Sequence, residues 1–300
     1  MEKVLLGIDI GGTFIKYAQF DINYQLIKKW KVQSIKHNTA EKFYDYLCSN
    51  IKELDKVEKI GVSAPGLIDA DSNVNSLAAP NVVIMYGTNI NEEIGKRTNK
   101  QVMSINDAKS AGLCEFKLGN ARGVKSSAFL IIGTGVGGCL CDQFGVVNGT
   151  DGFAGEFHQI PMINQTTGKL EKMGDLASIT GLLEIYNAKN DQTANVLYGK
   201  DVCQEYLAGN TIAEQAIDKW VGNVVAMLIL ITVFYNPEVI CLGGGISEED
   251  WLIEKVDQYY QKSCAEYLEN AAITTRIDRC KYNNDANLLG AIINTDINKI

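Results

Sequence analysis

The sequence predicts a two-domain α/β protein, and three observations support that prediction. Strand-like and helix-like segments alternate along the chain, which is the order typical of sheets covered by helices. A strand, a glycine turn and a second strand occur at residues 4–20 and again at residues 128–144, which suggests a duplicated domain. The length of 300 residues allows two domains of ordinary size.

The individual elements follow from local patterns. Short apolar runs bounded by glycine, proline or polar residues predict strands, and longer runs with apolar residues three and four apart predict helices. The predicted strands lie at residues 4–9, 14–20, 59–62, 102–105, 128–132, 139–144 and 239–242. The predicted helices lie at residues 41–54, 91–97, 108–116, 211–235, 251–269 and 287–294.

The domain boundary is predicted in the polar, glycine-containing stretch at residues 119–126. The first and smaller α/β domain then comprises residues 1–118, joined by a C-terminal helix at about 287–300. The second and larger α/β domain comprises residues 119–286.

The composition argues against several classes of partner. The net charge is −8, from 28 basic and 36 acidic residues, and no basic cluster offers a footprint for nucleic acid. The most apolar stretch, Val224–Tyr235, is too short to span a bilayer and predicts a buried helix. A strand-like segment starts at Val4 and leaves no room for a signal peptide, so a cytoplasmic protein with no membrane partner is expected.

The eight cysteines are expected to be reduced thiols in such a protein. Cys139 and Cys141 share one face of a predicted strand, but no second pair of ligands follows nearby. A zinc site is therefore not expected at this pair.

The first glycine loop has the chemistry of a phosphate site. Asp9 ends a strand and is followed by Gly11, Gly12 and Thr13. The glycines let the backbone approach phosphate oxygens, to which the N–H groups and the Thr13 hydroxyl can donate. Asp9 is expected to bind Mg²⁺ directly or through water, and Lys16 on the next strand adds positive charge. Taken alone, a glycine pair favours a plain hairpin turn.

Two further glycine loops strengthen the prediction. The second follows an apolar strand and contains Gly133, Thr134, Gly135, Gly137 and Gly138. A dinucleotide-binding loop would open a helix, whereas here a strand-like run continues at Cys139, which argues against a nicotinamide cofactor. The third loop follows the strand at 239–242 and contains Gly244 and Gly245. Three glycine loops on three strand ends predict a site for ATP.

These segments resemble the motifs of ROK-family sugar kinases, in the superfamily of actin and hexokinase. Asp9–Lys16 resembles the first phosphate motif, residues 130–138 with Gly155–His158 resemble the family signature, and residues 236–245 resemble the adenosine motif. The resemblance runs from residue 4 to about 291. It implies an actin- and hexokinase-like (ribonuclease H-like) fold that binds ATP and a sugar in the cleft between its domains. A homodimer, common in the family, is compatible with the sequence, which does not determine the oligomeric state.

The resemblance also implies roles for individual residues. Asn106–Asp107 matches the Asn-Asp pair of the family, in which the Asp is the catalytic base that accepts a proton from the sugar hydroxyl. An N-cap of the following helix is the alternative role for Asp107, and the two roles are compatible. The sugar-binding positions of the family match Gly66, Asn81, Asn106, Asp107, Glu156 and His158. The implied reaction is phosphorylation of the 6-hydroxyl of a hexose such as glucose, with N-acetylmannosamine, fructose and a β-glucoside left open.

Two departures from the family pattern bear on metal and substrate. Many relatives follow the histidine with a cysteine-rich zinc motif, but residues 159–180 contain no cysteine, so we predict no zinc. Family glucokinases carry a glutamate four residues before a helical Ala-Ser, and Gly174 occupies that position here; substitution by Glu171, one turn away, is the alternative. The missing carboxylate predicts open space at the anomeric end of the sugar, which would admit a β-glucoside or a sugar modified at carbon 2.

Other classes are less compatible with these motifs. ROK transcriptional regulators carry a helix-turn-helix before the first phosphate motif, which here begins by residue 4. A non-catalytic sugar or ATP sensor would be expected to lose Asp107 or the glycine loops, and both are present. Chaperone and filament-forming ATPases of the superfamily are not expected to combine the Asn-Asp pair with the loop around Glu156 and His158.

Overall fold

The computed structural model describes residues 3–77, 80, 82–163, 168–190, 195–269, 271–282 and 285–297. The strands are β1 (Val4–Ile10), β2 (Phe14–Phe20), β3 (Leu26–Gln33), β4 (Val57–Ala64), β5 (Gln101–Asn106), β6 (Ser126–Ile132), β7 (Val136–Asp142), β8 (Gly145–Val146), β9 (Pro161–Ile163), β10 (Leu170–Lys172), β11 (Val239–Gly244) and β12 (Arg276–Arg279). The α-helices are α1 (Ala40–Ser49), α2 (Ile90–Thr98), α3 (Asp107–Leu118), α4 (Met173–Ala177), α5 (Ile179–Asn187), α6 (Gly199–Leu207), α7 (Thr211–Tyr235), α8 (Asp250–Tyr267) and α9 (Ala286–Ile297).

The chain forms two compact units. Unit 1 comprises residues 1–122, 140–154 and 282–300, and unit 2 comprises residues 123–139 and 155–281. The first break lies within the stretch where the sequence places the boundary. Residues 140–154 belong to unit 1, whereas the sequence assigns them to the second domain. The structural reason is that buried Lys109 of α3 donates to Asn148 Oδ1 (3.2 Å) and to the carbonyl of Gly152.

Unit 1 is built on a five-stranded sheet in the order β3-β2-β1-β4-β5. β1 is central, antiparallel to β2 and parallel to β4, and it is buried on both faces, as the apolar run at residues 4–8 predicts. Because side chains alternate along a strand, Leu6 and Ile8 pack with α1 and α2, while Leu5 packs with α9 on the opposite face.

The position of α9 depends on close approach between its backbone and the backbones of β4 and α3. A Cβ on Gly61 of β4 would lie 2.1 Å from the carbonyl oxygen of Ala291, and one on Gly290 would lie 1.8 Å from that of Ser110 in α3. Glycine at these positions allows the C-terminal helix to lie against β4 and α3. The helix thereby joins unit 1, as the sequence assigned it.

Unit 2 is organised around the longest helix. α7 is capped by Asn210, whose side chain accepts from the N–H groups of Ile212 and Ala213, and it buries Trp220 completely. By length and composition α7 is also sufficient to cross a membrane, but half of its most apolar window is buried inside the protein. The strands β12, β11 and β6 of this unit pair in that order, with β11 parallel to both β6 and β12.

Three local differences from the sequence prediction have physical causes. β7 begins at Val136 rather than Cys139, because Gly138 runs directly against the carbonyl of Gly155 and can continue as strand. α1 ends at Ser49 rather than residue 54, because Asn50 leaves the helical conformation as its C-cap, and the left-handed Glu53 then starts a separate 3₁₀-helix. The strand β3 was not predicted, because it is an edge strand whose residues are mostly exposed and show no apolar alternation. The short strands β9, β10 and β12 and the helices α4, α5 and α6 were not predicted either.

Candidate active site

Asp9 lies in a hydrogen-bonded network in unit 1. It ends the buried part of β1, and the antiparallel register places it opposite Lys16 of β2. Its Oδ2 accepts from Lys16 Nζ (3.0 Å), and its Oδ1 accepts from Ser63 Oγ (3.0 Å) and from Asn287 Nδ2 (3.2 Å). The carboxylate is therefore held in one orientation by donors from β2, β4 and α9, and Asp9 is only 5% exposed.

Asp107 stands at the first position of α3, directly after β5. Asn106 is the N-cap: its Oδ1 accepts from the N–H of Lys109 (3.1 Å), and its Nδ2 donates to the carbonyl of Gly66 (3.0 Å). The N-cap alternative for Asp107 is thus wrong, because Asn106 occupies that position. Asp107 Oδ1 accepts from the N–H of Ala108 (2.8 Å), and no ion pair to Asp107 occurs within the described part of the chain.

The environment of Asp107 makes its carboxyl a weaker acid. Burial raises its pKa to about 6, and the negative charge of Asp9 contributes in the same direction. The N–H of Ala108 and the side chain of Asn106 oppose this shift by stabilising the ionised form. The group is ionised at neutral pH yet more basic than an ordinary aspartate, which suits a general base.

The carboxyl ends of β1, β4 and β5 bring these groups to one edge of the sheet. Asp9 is in register with Ser63, and Asn106 is in register with Ala64, two residues before Gly66. Gly66 has a φ of +96°, which glycine adopts readily, and its carbonyl is held by Asn106. Unit 1 therefore assembles Asp9, Lys16, Gly66, Asn106 and Asp107, while Asn81 lies outside the described residues.

Unit 2 brings the second and third glycine loops together. The parallel strands β6 and β11 end side by side, with Ile132 in register with Gly244. The second loop, Gly133–Gly135, continues from β6, and Thr134 and Gly135 are exposed. Gly244 and Gly245 are exposed at the end of β11. Gly137 and Gly138 lie within β7, so they shape the strand that leaves the loop rather than the loop itself.

His158 is engaged by protein groups of unit 2 through both ring nitrogens. Its Nδ1 accepts from the N–H of Val136 (3.4 Å), and its Nε2 lies 3.3 Å from Asp175 Oδ1. Glu156 is partly buried just before the short 3₁₀-helix that carries His158. The proposed sugar contacts of both residues stay predictions.

The structure overturns one inference about Gly174. The sequence suggests that its missing side chain opens space, but a Cβ there would lie 2.3 Å from His158 Nδ1 and 2.5 Å from His158 Cα. The space is filled by His158, which could not occupy this position beside a glutamate at 174. Glu171 lies in β10, where it pairs with Met162 of β9.

The metal chemistry of the described residues is limited to single carboxylates. No group of three or more His, Cys, Asp or Glu side chains that could hold a metal occurs among them. Asp9 suits magnesium, because a carboxylate offers about four acceptor sites and three of them are used by Lys16, Ser63 and Asn287. Magnesium takes one or two carboxylates and retains several waters.

Several residues of these networks were not identified from the sequence. Ser63 carried a weak signal, since it is a polar residue directly after the apolar strand at 59–62. Lys109, Asp175 and Asn287 carried none, because their contacts depend on how distant segments fold together.

Comparison with known proteins places these residues in a wider context. The model of the ROK family matches residues 5–295. A glucokinase of Halalkalibacterium halodurans is 28% identical, with 96% of this chain and 94% of the glucokinase covered. An N-acetylgalactosamine kinase of Shewanella sp. strain ANA-3 is 26% identical, with 84% of this chain and 85% of that kinase covered.

The fold comparison agrees. A ROK-family protein of Streptococcus pneumoniae, solved in complex with sucrose, superposes with a TM-score of 0.85 at 28% identity, and 97% of each chain is covered. This likeness confirms the fold class predicted from the sequence, the α/β fold of actin and hexokinase.

Proposed function

The chain belongs to the ROK family, as the motifs predicted, and from this premise we propose that it is an ATP-dependent sugar kinase with Asp107 as its general base. The relatives named above as kinases support phosphoryl transfer from ATP to a sugar. The proposed acceptor is the 6-hydroxyl of a hexose such as glucose.

The observation that carries this proposal is the state of Asp107. Its carboxylate is partly buried, lacks an ion pair within the described residues, and has a pKa raised to about 6 by burial. In the proposed reaction Asp107 accepts the proton of the sugar hydroxyl while the oxygen of that hydroxyl attacks the γ-phosphorus. The bond from the γ-phosphorus to the bridging oxygen breaks, and ADP leaves.

The nucleotide groups of the proposal come from both units. The loops Gly11–Thr13 and Gly133–Gly135 bind phosphate oxygens, the second through the N–H groups of Thr134 and Gly135. The N–H groups of Gly11 and Gly133 donate instead to the carbonyls of Phe14 and Gly135. Gly244 and Gly245 lie at the adenosine end. Asp9 would hold magnesium directly or through water, and the metal would supply positive charge at the phosphates. Lys16, which is paired with Asp9, adds a positive charge near the same phosphates.

The sugar is proposed to contact Gly66, Asn81, Asn106, Glu156 and His158, besides Asp107. The amide and carboxylate groups of this set can each bind two neighbouring hydroxyls. Sugars with a substituted anomeric oxygen stay in the candidate set, since the pneumococcal relative is known with bound sucrose. N-acetylhexosamines stay in it as well, since one relative is named an N-acetylgalactosamine kinase.

The test is a coupled assay of ADP release with Mg·ATP and a panel of free hexoses, N-acetylhexosamines, β-glucosides and sucrose. The Asp107→Asn protein serves as the blank for each sugar. Turnover of one sugar class that disappears in the variant supports the kinase and identifies its acceptor. If no sugar is phosphorylated while Mg·ATP and a sugar both bind, the chain is instead a non-catalytic sensor.

A further inference from the structure

The second glycine loop accepts hydrogen bonds from the corner between α4 and α5, residues 177–180. The N–H of Ile179 donates to the carbonyl of Gly133 (2.9 Å), and the hydroxyl of Thr180 donates to the carbonyl of Thr134 (2.7 Å). Both donors lie in the first turn of α5, and all four residues belong to unit 2. Two successive peptide groups of the loop are therefore held on their carbonyl side.

The corner itself is firmly anchored. Ser178 ends α4 and caps α5, since its hydroxyl accepts from the N–H of Gly181 (3.1 Å) and donates to the carbonyl of Asp175 (3.0 Å). The indole N–H of Trp220, which is fully buried in α7, donates to the carbonyls of Ala177 (3.1 Å) and Ser178 (2.8 Å). The loop is thus tied to the core of unit 2 through a short chain of hydrogen bonds.

The far end of the loop is held by His158. The Nδ1 atom of His158 accepts from the N–H of Val136, and its Nε2 faces Asp175. Because Nδ1 accepts, the ring proton lies on Nε2 and points to the Asp175 carboxylate. Gly174 permits this arrangement, since its Cα side faces the His158 ring without a side chain between them.

These contacts determine where the N–H groups of the loop point. In a planar trans peptide the C=O and the N–H of the same unit point in opposite directions. The carbonyls of Gly133 and Thr134 point to the corner, so the N–H groups of Thr134 and Gly135 point away from it. Both residues are exposed, and two adjacent outward N–H groups form a site suited to an anion.

We propose that Thr180 and the Asp175–His158 pair are positioning residues, which orient the N–H groups of Thr134 and Gly135 toward a phosphate of ATP. The inference rests on the proposed function and deepens it, because it names the residues outside the loop on which nucleotide affinity depends. Thr180 has the larger role, since it bonds directly to one of the two oriented peptide groups. Asp175 acts indirectly, because it contacts only the ring of His158, which in turn accepts from the N–H of Val136.

The test compares Thr180→Val, Thr180→Ser and Asp175→Ala with a matched control, Thr211→Val. Thr180 is exposed, so valine removes the hydroxyl and keeps the branched shape without disturbing a core. Thr211 is another exposed threonine in the first turn of a helix of unit 2. KM and kcat for ATP and for the sugar are measured, together with Mg·ATP affinity by calorimetry and the thermal midpoint.

We expect Thr180→Val to raise KM and Kd for Mg·ATP about five- to tenfold, the effect of one neutral hydrogen bond. The KM for the sugar and the thermal midpoint should stay unchanged, Thr180→Ser should bind ATP within about twofold of wild type, and Asp175→Ala should weaken ATP about two- to threefold. A purely structural role for Thr180 would instead lower the midpoint and leave the ratio of the two KM values intact.

Unchanged ATP affinity in both Thr180→Val and Asp175→Ala would overturn the inference, as would an equal loss in Thr211→Val. Calorimetry separates this outcome from failure of the proposed function. A wild-type protein that binds Mg·ATP but phosphorylates no sugar would contradict the kinase activity and still allow the effect of Thr180 and Asp175 on ATP affinity to be measured. A wild-type protein that does not bind Mg·ATP would overturn both.

Discussion

The two sheet edges that carry the candidate residues, one in each unit, are built in opposite ways. At the edge of unit 1 the chemistry belongs to side chains, since Asp9 and Asp107 present carboxylates that are held by Ser63, Asn287 and the N–H of Ala108. At the edge of unit 2 it belongs to the backbone of the second glycine loop. The carbonyls of this loop accept hydrogen bonds from α5, and the N–H groups of Thr134 and Gly135 point away from that helix. Substitutions that remove a side-chain group should therefore have the larger effect at the first edge, and substitutions that add a Cβ should have it at the second.

The largest effect is expected at Asp107. Asp107→Asn keeps the size of the side chain but removes the base, so turnover should fall about 10²- to 10⁴-fold while sugar binding by calorimetry is retained. Asp250→Asn is the matched control, because Asp250 also opens a helix, α8, at an exposed position. Comparable loss in both variants would assign the effect to helix termini and remove Asp107 as base.

The acidic limb of the pH profile is the next largest effect. The base works only when ionised, and burial raises the pKa of Asp107 to about 6. As pH falls through about 6 the carboxyl becomes protonated, so kcat/KM should fall tenfold for each further pH unit. A profile that stays flat down to pH 4.5 would contradict the role given to this carboxyl.

The same raised pKa has a consequence for stability. The folded carboxyl binds its proton more tightly than the unfolded one, so Asp107 stabilises the fold less as pH rises from about 4 to about 6, and the loss persists above that range. Asp107→Asn removes this loss of folding stability, because asparagine does not ionise. The thermal midpoint of the variant should exceed that of wild type by a few degrees at pH 8, and the gap should shrink at pH 4.

The edge of unit 2 should respond to an added atom. In Gly138→Ala the new Cβ would lie 2.1 Å from the carbonyl oxygen of Gly155 and 2.3 Å from a ring carbon of Phe157. We expect about 1–3 kcal/mol of lost stability, measured by urea unfolding. Gly222→Ala is the control, because its Cβ would meet Tyr259 at an ordinary 3.7 Å inside α7. That change should be neutral or stabilising.

A smaller effect is expected from the support of Asp9. Ser63→Ala removes one donor from the Asp9 carboxylate without leaving another buried group unpaired, and Lys16 and Asn287 still hold it. The loss should be about 1–2 kcal/mol of stability, with a KM for Mg·ATP raised about threefold. If the KM were unchanged at equal loss of stability, Ser63 would support the sheet rather than the Asp9 carboxylate.

The smallest effect is expected from zinc removal. Residues 159–180 contain no cysteine, and in the structure His158 is occupied by Val136 and Asp175. Dialysis against a strong chelator, followed by return of Mg²⁺, should leave the thermal midpoint and the turnover unchanged. Stoichiometric zinc in the purified protein, measured by elemental analysis, would contradict this prediction.

The sequence predicts some features of the candidate site correctly and others wrongly. Asp9, Asp107 and the glycine loops were found because strands, turns and capping residues are encoded over a few neighbouring positions. The conclusion about Gly174 was wrong for the opposite reason. Whether a missing side chain leaves a space depends on what lies opposite, and here His158, 16 positions earlier, fills it.

By itself the sequence determined the α/β class, the ROK family and the positions of the carboxylates and glycine loops, because these are written in local patterns of residue type. Only the tertiary structure decided which groups support them. Asn287 donates a hydrogen bond to Asp9, 278 positions away, because α9 returns to unit 1. Thr180 donates to the carbonyl of Thr134, 46 positions away, because α5 begins beside the end of β6. Contacts of that separation depend on how elements pack, which no local pattern specifies.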